Sequence, residues 1–176
     1  MGFFSSVLGG VASHDPTIAW SLTGDLPTPE VQFATRRIGP LAFGAPLAEA
    51  QCFGRPDLFR RRHHDYFELV YARAGFQLDF EGGRLAYGAF FVGPDEFDPA
   101  CRSLRYSRPH EAGGASFSDQ TTKETLVEIF GPPVSVDRDA QEIVVHFTRN
   151  GLTLEFELNG KGCLKRWNLY PEESGA

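Results

Sequence analysis

The chain has 176 residues, of which 41% are hydrophobic and 13% aromatic, and it carries a formal net charge of −6. A chain of this size can bury about 70% of the surface it exposes when unfolded, and its apolar and aromatic content argues against disorder. The acidic balance excludes a protein that holds nucleic acid by displacing phosphate counterions.

The N-terminal segment, residues 1–37, begins with Met-Gly-x-x-x-Ser, the N-myristoylation pattern. It has no basic n-region and no continuous apolar h-region, so it does not read as a signal peptide. No run in the chain approaches the ~18 apolar residues of a spanning helix. Phe3, Phe4, Val7 and Leu8 suggest an amphipathic turn or two, and Thr28-Pro29-Glu30 opens a strand through Val31 to Ala34.

A helix is predicted from Ala45 to Phe53. Gly54 supplies the left-handed residue of its C-cap, and Pro56 prevents continuation. The run Arg60-Arg61-Arg62-His63-His64, flanked by Asp57 and Asp65, reads as a solvated loop. Strands follow. The first runs from Phe67 to Tyr71 and leads through a turn at Ala74-Gly75. In the second, Phe76, Leu78 and Phe80 alternate with Gln77, Asp79 and Glu81; a third runs from Arg84 to Val92 after Gly82-Gly83. Such alternation predicts an antiparallel sheet with one face on the helix and the other in water.

Residues 94–117, rich in Gly, Pro, Arg and Ser, read as a connecting loop with a short strand near Arg102 to Tyr106. The pattern then returns. A helix from Thr121 to Phe130 has Ser118 and Thr121 as N-caps, with Glu124 completing a capping box on Thr121. Gly131 and Pro133 end it. Ile143 to Phe147 is a strand, Asn150-Gly151 a hairpin turn, and Leu152, Leu154 and Phe156 alternate with Thr153, Glu155 and Glu157. Cys163 to Tyr170 closes the set.

These similarities amount to an internal repeat. Phe53-Gly54-Arg55-Pro56 recurs as Phe130-Gly131-Pro132-Pro133, a shift of 77 from residue 53 to residue 130. The eleven residues from Tyr71 to Glu81 recur from Phe147 to Glu157, a shift of 76 from residue 71 to residue 147. The expected fold class is therefore α+β: two tandem αβββ units, each an antiparallel meander with a helix on one face. The boundaries are 38–93 for the first repeat, 94–117 for the connecting loop, 118–171 for the second repeat and 172–176 for the tail.

A helix ending in Phe-Gly-x-Pro, then a Gly-turned hairpin and a further strand, resembles the superfamily of the outer-membrane assembly lipoprotein BamE and the β-lactamase inhibitor proteins. The resemblance covers Ala45 to Val92 and Ser118 to Tyr170. It implies helix-plus-sheet units in tandem, and a concave sheet surface that grips another protein.

No phosphate-binding glycine motif occurs. The three cysteines, Cys52, Cys101 and Cys163, are odd in number and far apart, which implies neither a disulfide framework nor a zinc site and points to a reducing compartment. His63 and His64 beside Asp65 are the nearest approach to a reactive cluster, but adjacent side chains point different ways and cannot easily share a metal. His110 lies in the connecting loop and His146 in a strand. Cys52 reads as a small core residue on the first helix; with His64 and Asp65 it forms a nucleophile set only if the fold gathers them. No catalytic residue, metal site or cofactor is expected. The candidate site is a partner-binding surface: Asp79, Glu81, Glu155 and Glu157 on the solvated faces, joined by Tyr66, Tyr87, Trp167 and Tyr170, of residue types favoured at interface hot spots. The leading expectation is a soluble, cytoplasmic bacterial protein without a membrane span or nucleic-acid partner. It binds a protein through these faces as an immunity- or inhibitor-like module. Two other readings are a small enzyme or ligand-binding protein with its site between the repeats, and an envelope-associated adaptor held by the N-terminal segment.

Overall fold

The computed structural model describes residues 15–22, 24, 26–93 and 110–172. Among these residues the chain is mostly β, with thirteen strands in two sheets, one α-helix and two short 3-10 segments. In the larger sheet, β4 (Leu58–Arg61), β5 (Tyr66–Tyr71), β6 (Phe76–Glu81) and β7 (Arg84–Phe91) form one meander. A second meander is built from β10 (Ser135–Arg138), β11 (Glu142–Arg149), β12 (Leu152–Asn159) and β13 (Leu164–Pro171). The last strands of the two meanders pair with each other, so the order runs β10-β11-β12-β13-β7-β6-β5-β4 and every neighbour is antiparallel. The smaller sheet contains β1 (Val31–Gln32), β2 (Arg37–Ile38), β3 (Leu41–Ala42), β8 (His110–Ala112) and β9 (Ala115–Phe117), in the order β3-β2-β1-β8-β9 with β1 and β8 parallel.

The α+β expectation of two helix-packed αβββ units is thus overturned. Each meander has four strands rather than three, because the stretches after the Phe-Gly-x-Pro motifs pair as edge strands. Arg60 and Arg61, read as loop, belong to β4. Edge strands carry charge to discourage pairing with other chains, and so lack the apolar alternation that marks a strand in a sequence. The helices are also slighter than predicted. The first is a 3-10 segment, Leu47–Phe53, and the second, α1, covers Lys123–Phe130. Thr122 caps α1 by accepting from the Thr125 amide, while the Thr121 amide donates to the Ser118 carbonyl, so the N-cap is Thr122 and the predicted pairing of Thr121 with Glu124 is overturned. A largely sheet architecture likewise overturns the resemblance to the BamE and β-lactamase-inhibitor superfamily, whose units pair a helix with a small sheet.

The repeated motifs nevertheless have physical counterparts in the two meanders. Gly54 (φ 72°, ψ −167°) and Gly131 (φ 82°, ψ −160°) end their helical segments in one conformation that is open essentially to glycine alone. The phenylalanine before each turns inward. Phe53 packs edge-on against Tyr71 and Phe76, at 5.9 and 5.4 Å, and Phe130 meets Phe147 and Phe156 at 5.2 and 5.5 Å. The hairpins differ. Asn150 and Gly151 both have positive φ, as a type I′ turn requires, whereas Ala72–Ala74 forms a 3-10 turn closed by a left-handed Gly75.

The core lies between one face of the eight-stranded sheet and the layer made by the small sheet and the helical segments. Ile38 of β2 presses on Gly88 of β7, where an added Cβ would stand 2.5 Å from the Ile38 Cδ1 atom. Trp167, expected at the partner surface, is instead wholly buried in this core. It stacks on Phe90 at 4.6 Å and on Phe156 at 5.7 Å. It lies three residues from Tyr170 on one strand, and an odd separation puts the two on opposite faces.

The amphipathic turns at Phe3 to Leu8, the myristoylation pattern, Cys101 and the strand near Arg102 to Tyr106 lie outside the described residues. Within the predicted connecting loop the structure has the β8–β9 hairpin. No helix among the described residues is long and apolar enough to cross a membrane. Because Trp167 anchors the core where the two meanders meet, Trp167→Ala should lower the unfolding free energy by about 3–5 kcal/mol in urea denaturation.

Candidate functional site

The other face of the large sheet was expected to be wet, but on its inner strands it is not. Glu68, Gln77, Asp79, Glu157 and Asn168 are all buried there. Charged groups placed in such surroundings require partners, and the strand register supplies them.

On the second meander a register shift at Glu157 leaves Lys165 as the extra residue of a bulge. Its ammonium reaches both Glu142 and Glu157. Arg166 brings its guanidinium to both oxygens of Glu157, at 2.6 and 2.7 Å. Burial pushes the Glu157 carboxyl upward, but Arg166, Asn168 and Lys165 together outweigh it and hold the group below the usual glutamate value. Asn168 donates from Nδ2 to Glu157 and to Glu155, both at 2.7 Å. The second oxygen of Glu155 meets His146 Nε2 at 3.1 Å, and His146 Nδ1 meets Ser135 Oγ at 3.0 Å. Hydroxyl, imidazole and carboxylate in sequence form a proton-relay order, but Ser135 is exposed on the open edge strand and lines neither of the clefts described below. The chain of contacts ties β10 to β13 across four strands.

On the first meander Arg60 and Arg62 converge on Glu68, at 3.3 and 2.6 Å. Asp79 is different. It is 4% exposed, and its carboxylate accepts hydrogen bonds from two neutral donors, Tyr66 Oη and Gln77 Nε2, each at 2.7 Å. Burial raises its pKa from 3.8 to about 6, against the pull of those donors. The Tyr66 hydroxyl is raised in turn, first by burial and then by its bond to Asp79.

A cleft of about 360 Å³ opens over Asp79, with Arg60, Arg62, Tyr66, Tyr87 and Arg166 around it and Ala89 and Phe91 in its floor. The floor belongs to a small apolar cluster on this otherwise polar face, formed by Val70, Ala72, Ala89 and Phe91. A second cleft, of about 740 Å³, is lined by Tyr66, Glu81, Tyr87, Glu155 and Tyr170 among others. Tyr87 and Tyr170 stack at 5.8 Å across the join between the meanders. Because Tyr66 and Tyr87 line both clefts, the two form one groove.

Of the predicted surface residues, the groove gathers Tyr66, Asp79, Glu81, Tyr87, Glu155 and Tyr170. Glu157 lies beside it beneath Arg166, and Trp167 is on the opposite face. Sequence reading missed the arginines: Arg60 and Arg62 alternate with Arg61, a spacing of two that places them on one face once the segment is recognised as a strand. His63, His64 and Asp65 are exposed in the turn before β5, and Cys52, predicted to be a core residue, is exposed on its 3-10 segment. Among the described residues no His, Cys, Asp and Glu side chains gather as a metal-binding group.

No family model and no curated protein matches the chain. Its fold is similar to the crystal structure of a DUF4309 family protein (YjgB) from Bacillus subtilis, with a TM-score of 0.51 and 16% sequence identity over 75% of this chain and 82% of that one. That likeness concerns the fold alone, and it takes the place of the BamE and β-lactamase-inhibitor resemblance.

Asp79 offers a direct test of the electrostatics. A carboxyl whose folded pKa, about 6, exceeds its ordinary value of 3.8 holds its proton more tightly in the folded state. The penalty is absent at low pH, grows as pH rises between those values and is complete above them, on the order of 2–3 kcal/mol. Asp79→Asn, which keeps the shape, should therefore gain stability over the parent protein as pH is raised from 4 to 7, measured by urea denaturation at each pH.

Proposed function

We propose that the protein is a non-catalytic binding module that recognises a protein partner through the tyrosine- and carboxylate-lined groove on the polar face of its eight-stranded sheet. The observation that carries this reading is the sharing of Tyr66 and Tyr87 by the two clefts, which makes an elongated concave surface out of separate hollows. Such a surface suits a polypeptide segment. Tyrosines present large rigid contact areas at low entropic cost, and the fixed ion pairs around them pre-organise the groove before the partner arrives. A cytoplasmic location belongs to the same proposal and rests on the three widely spaced cysteines.

Site-specific photocrosslinking in the native host tests it. A benzophenone amino acid at position 170, in the groove, should give a discrete adduct that Glu81→Lys abolishes. The same probe at Val134, which is 68% exposed just before edge strand β10 and lines neither cleft, should not give it. An adduct from position 134 with none from position 170 would move the interface away from the groove.

A further inference from the structure

We infer that the cleft over Asp79 is a subsite for a basic side chain, a lysine or arginine that the partner segment inserts between Tyr66 and Tyr87. This rests on the groove reading above and specifies the chemistry of its occupant. The cations around the cleft have carboxylates of their own. Arg60 and Arg62 close on Glu68, and Arg166 closes on Glu157. Asp79 alone among these buried carboxylates is held by neutral donors. A positive group entering the cleft therefore completes the remaining acidic partner, whereas a second anion would add to its burden.

The walls favour the same occupant. Tyr66 and Tyr87 present aromatic surface, which attracts a cation by its quadrupole, and Ala89 and Phe91 offer an apolar floor for the methylene stem of a lysine or arginine. The adjoining cleft adds Glu81 and Glu155 against a single arginine, Arg36, so carboxylates predominate along the path of a basic segment. The net charge of −6 would draw such a segment in from solution.

The groups that face Asp79 set the pH behaviour. Tyr66 and Glu68 stand on β5, Tyr87 on β7, Arg60 on β4, Arg62 beyond it and Arg166 on β13, with Glu81 two residues on along its own strand. Burial and the Glu68 charge raise its pKa, while Tyr66, Gln77 and, most weakly, Arg62 lower it; the balance lies at about 6. The subsite is charged at pH 7.5 and about nine-tenths protonated at pH 5, so affinity for a cation should fall about tenfold between them.

The test is an NMR titration of the full chain with N-acetyl-lysine N-methylamide, its arginine counterpart, and the norleucine and glutamate analogues as controls. At pH 7.5 the two basic analogues should shift the resonances of Tyr66, Asp79 and Tyr87. Norleucine should bind at least tenfold more weakly, and glutamate should not compete. Asp79→Asn should weaken lysine binding at least tenfold. If that variant fails to fold, the parent protein compared at pH 5 and 7.5 gives the same readout. Preference for glutamate, equal binding of norleucine, or affinity indifferent to both Asp79→Asn and pH would overturn the subsite. A photoadduct at position 170 that persists unchanged in Asp79→Asn would leave the groove in place while removing the subsite. Absence of any groove adduct in the parent protein would remove the groove itself.

Discussion

Along the join of the two meanders, Arg166, Trp167, Asn168 and Leu169 of β13 stand opposite Phe91, Phe90, Ala89 and Gly88 of β7. Either meander alone would present this strand as an unpaired edge, open to association with other chains. Pairing the edges buries both. It also fixes both faces of the sheet at once, because each residue of the pair faces one side or the other. Trp167 and Phe90 stack in the core, while Arg166 reaches over Phe91 on the polar face, 5.9 Å from its ring. The groove exists because these strands are neighbours: Tyr87 comes from one meander and Tyr170 from the other.

The inner strands have an electrostatic consequence. On β5, β6 and β12, which have a neighbour on either side, long side chains of the adjacent strands shield the polar face, and the carboxylates Glu68, Asp79 and Glu157 become buried. Two of the three are met by arginines. Asp79 is left with neutral donors and a pKa near 6, a state that weakens the fold above that pH. A group held against its own stability within a cleft is where recognition chemistry is expected.

The sequence made the inner strands readable and little of what joins them. Alternation at Phe76 to Glu81 and Leu152 to Glu157 marks the hairpins, and the Asn150-Gly151 turn is where its chemistry demands. The repeated glycines, Gly54 and Gly131, mark positions of positive φ, although their ψ is extended rather than helical. Edge strands β4 and β10 are not marked in this way: Arg60 reads as a loop residue, and Ser135–Arg138 is exposed throughout, with no apolar alternation. The pairing of β7 with β13 leaves no local trace either, because long-range register is decided by tertiary packing rather than by neighbours in the chain. The side chains that cover Asp79 and Glu157 come from neighbouring strands and are equally invisible to local pattern, so a solvated face is the natural reading of both. The misplacement of Trp167 had a different origin: parity along the strand separates it from Tyr170, and that signal was present in the sequence.

Fold and groove both follow from one continuous sheet, and native-state hydrogen exchange addresses it most directly. The backbone amides of β7 and β13 should be among the slowest in the protein, exchanging together through global unfolding with a single free energy. If residues 58–91 instead open as a unit while residues 135–171 stay protected, the meanders are independent and the join between them is not what holds the molecule.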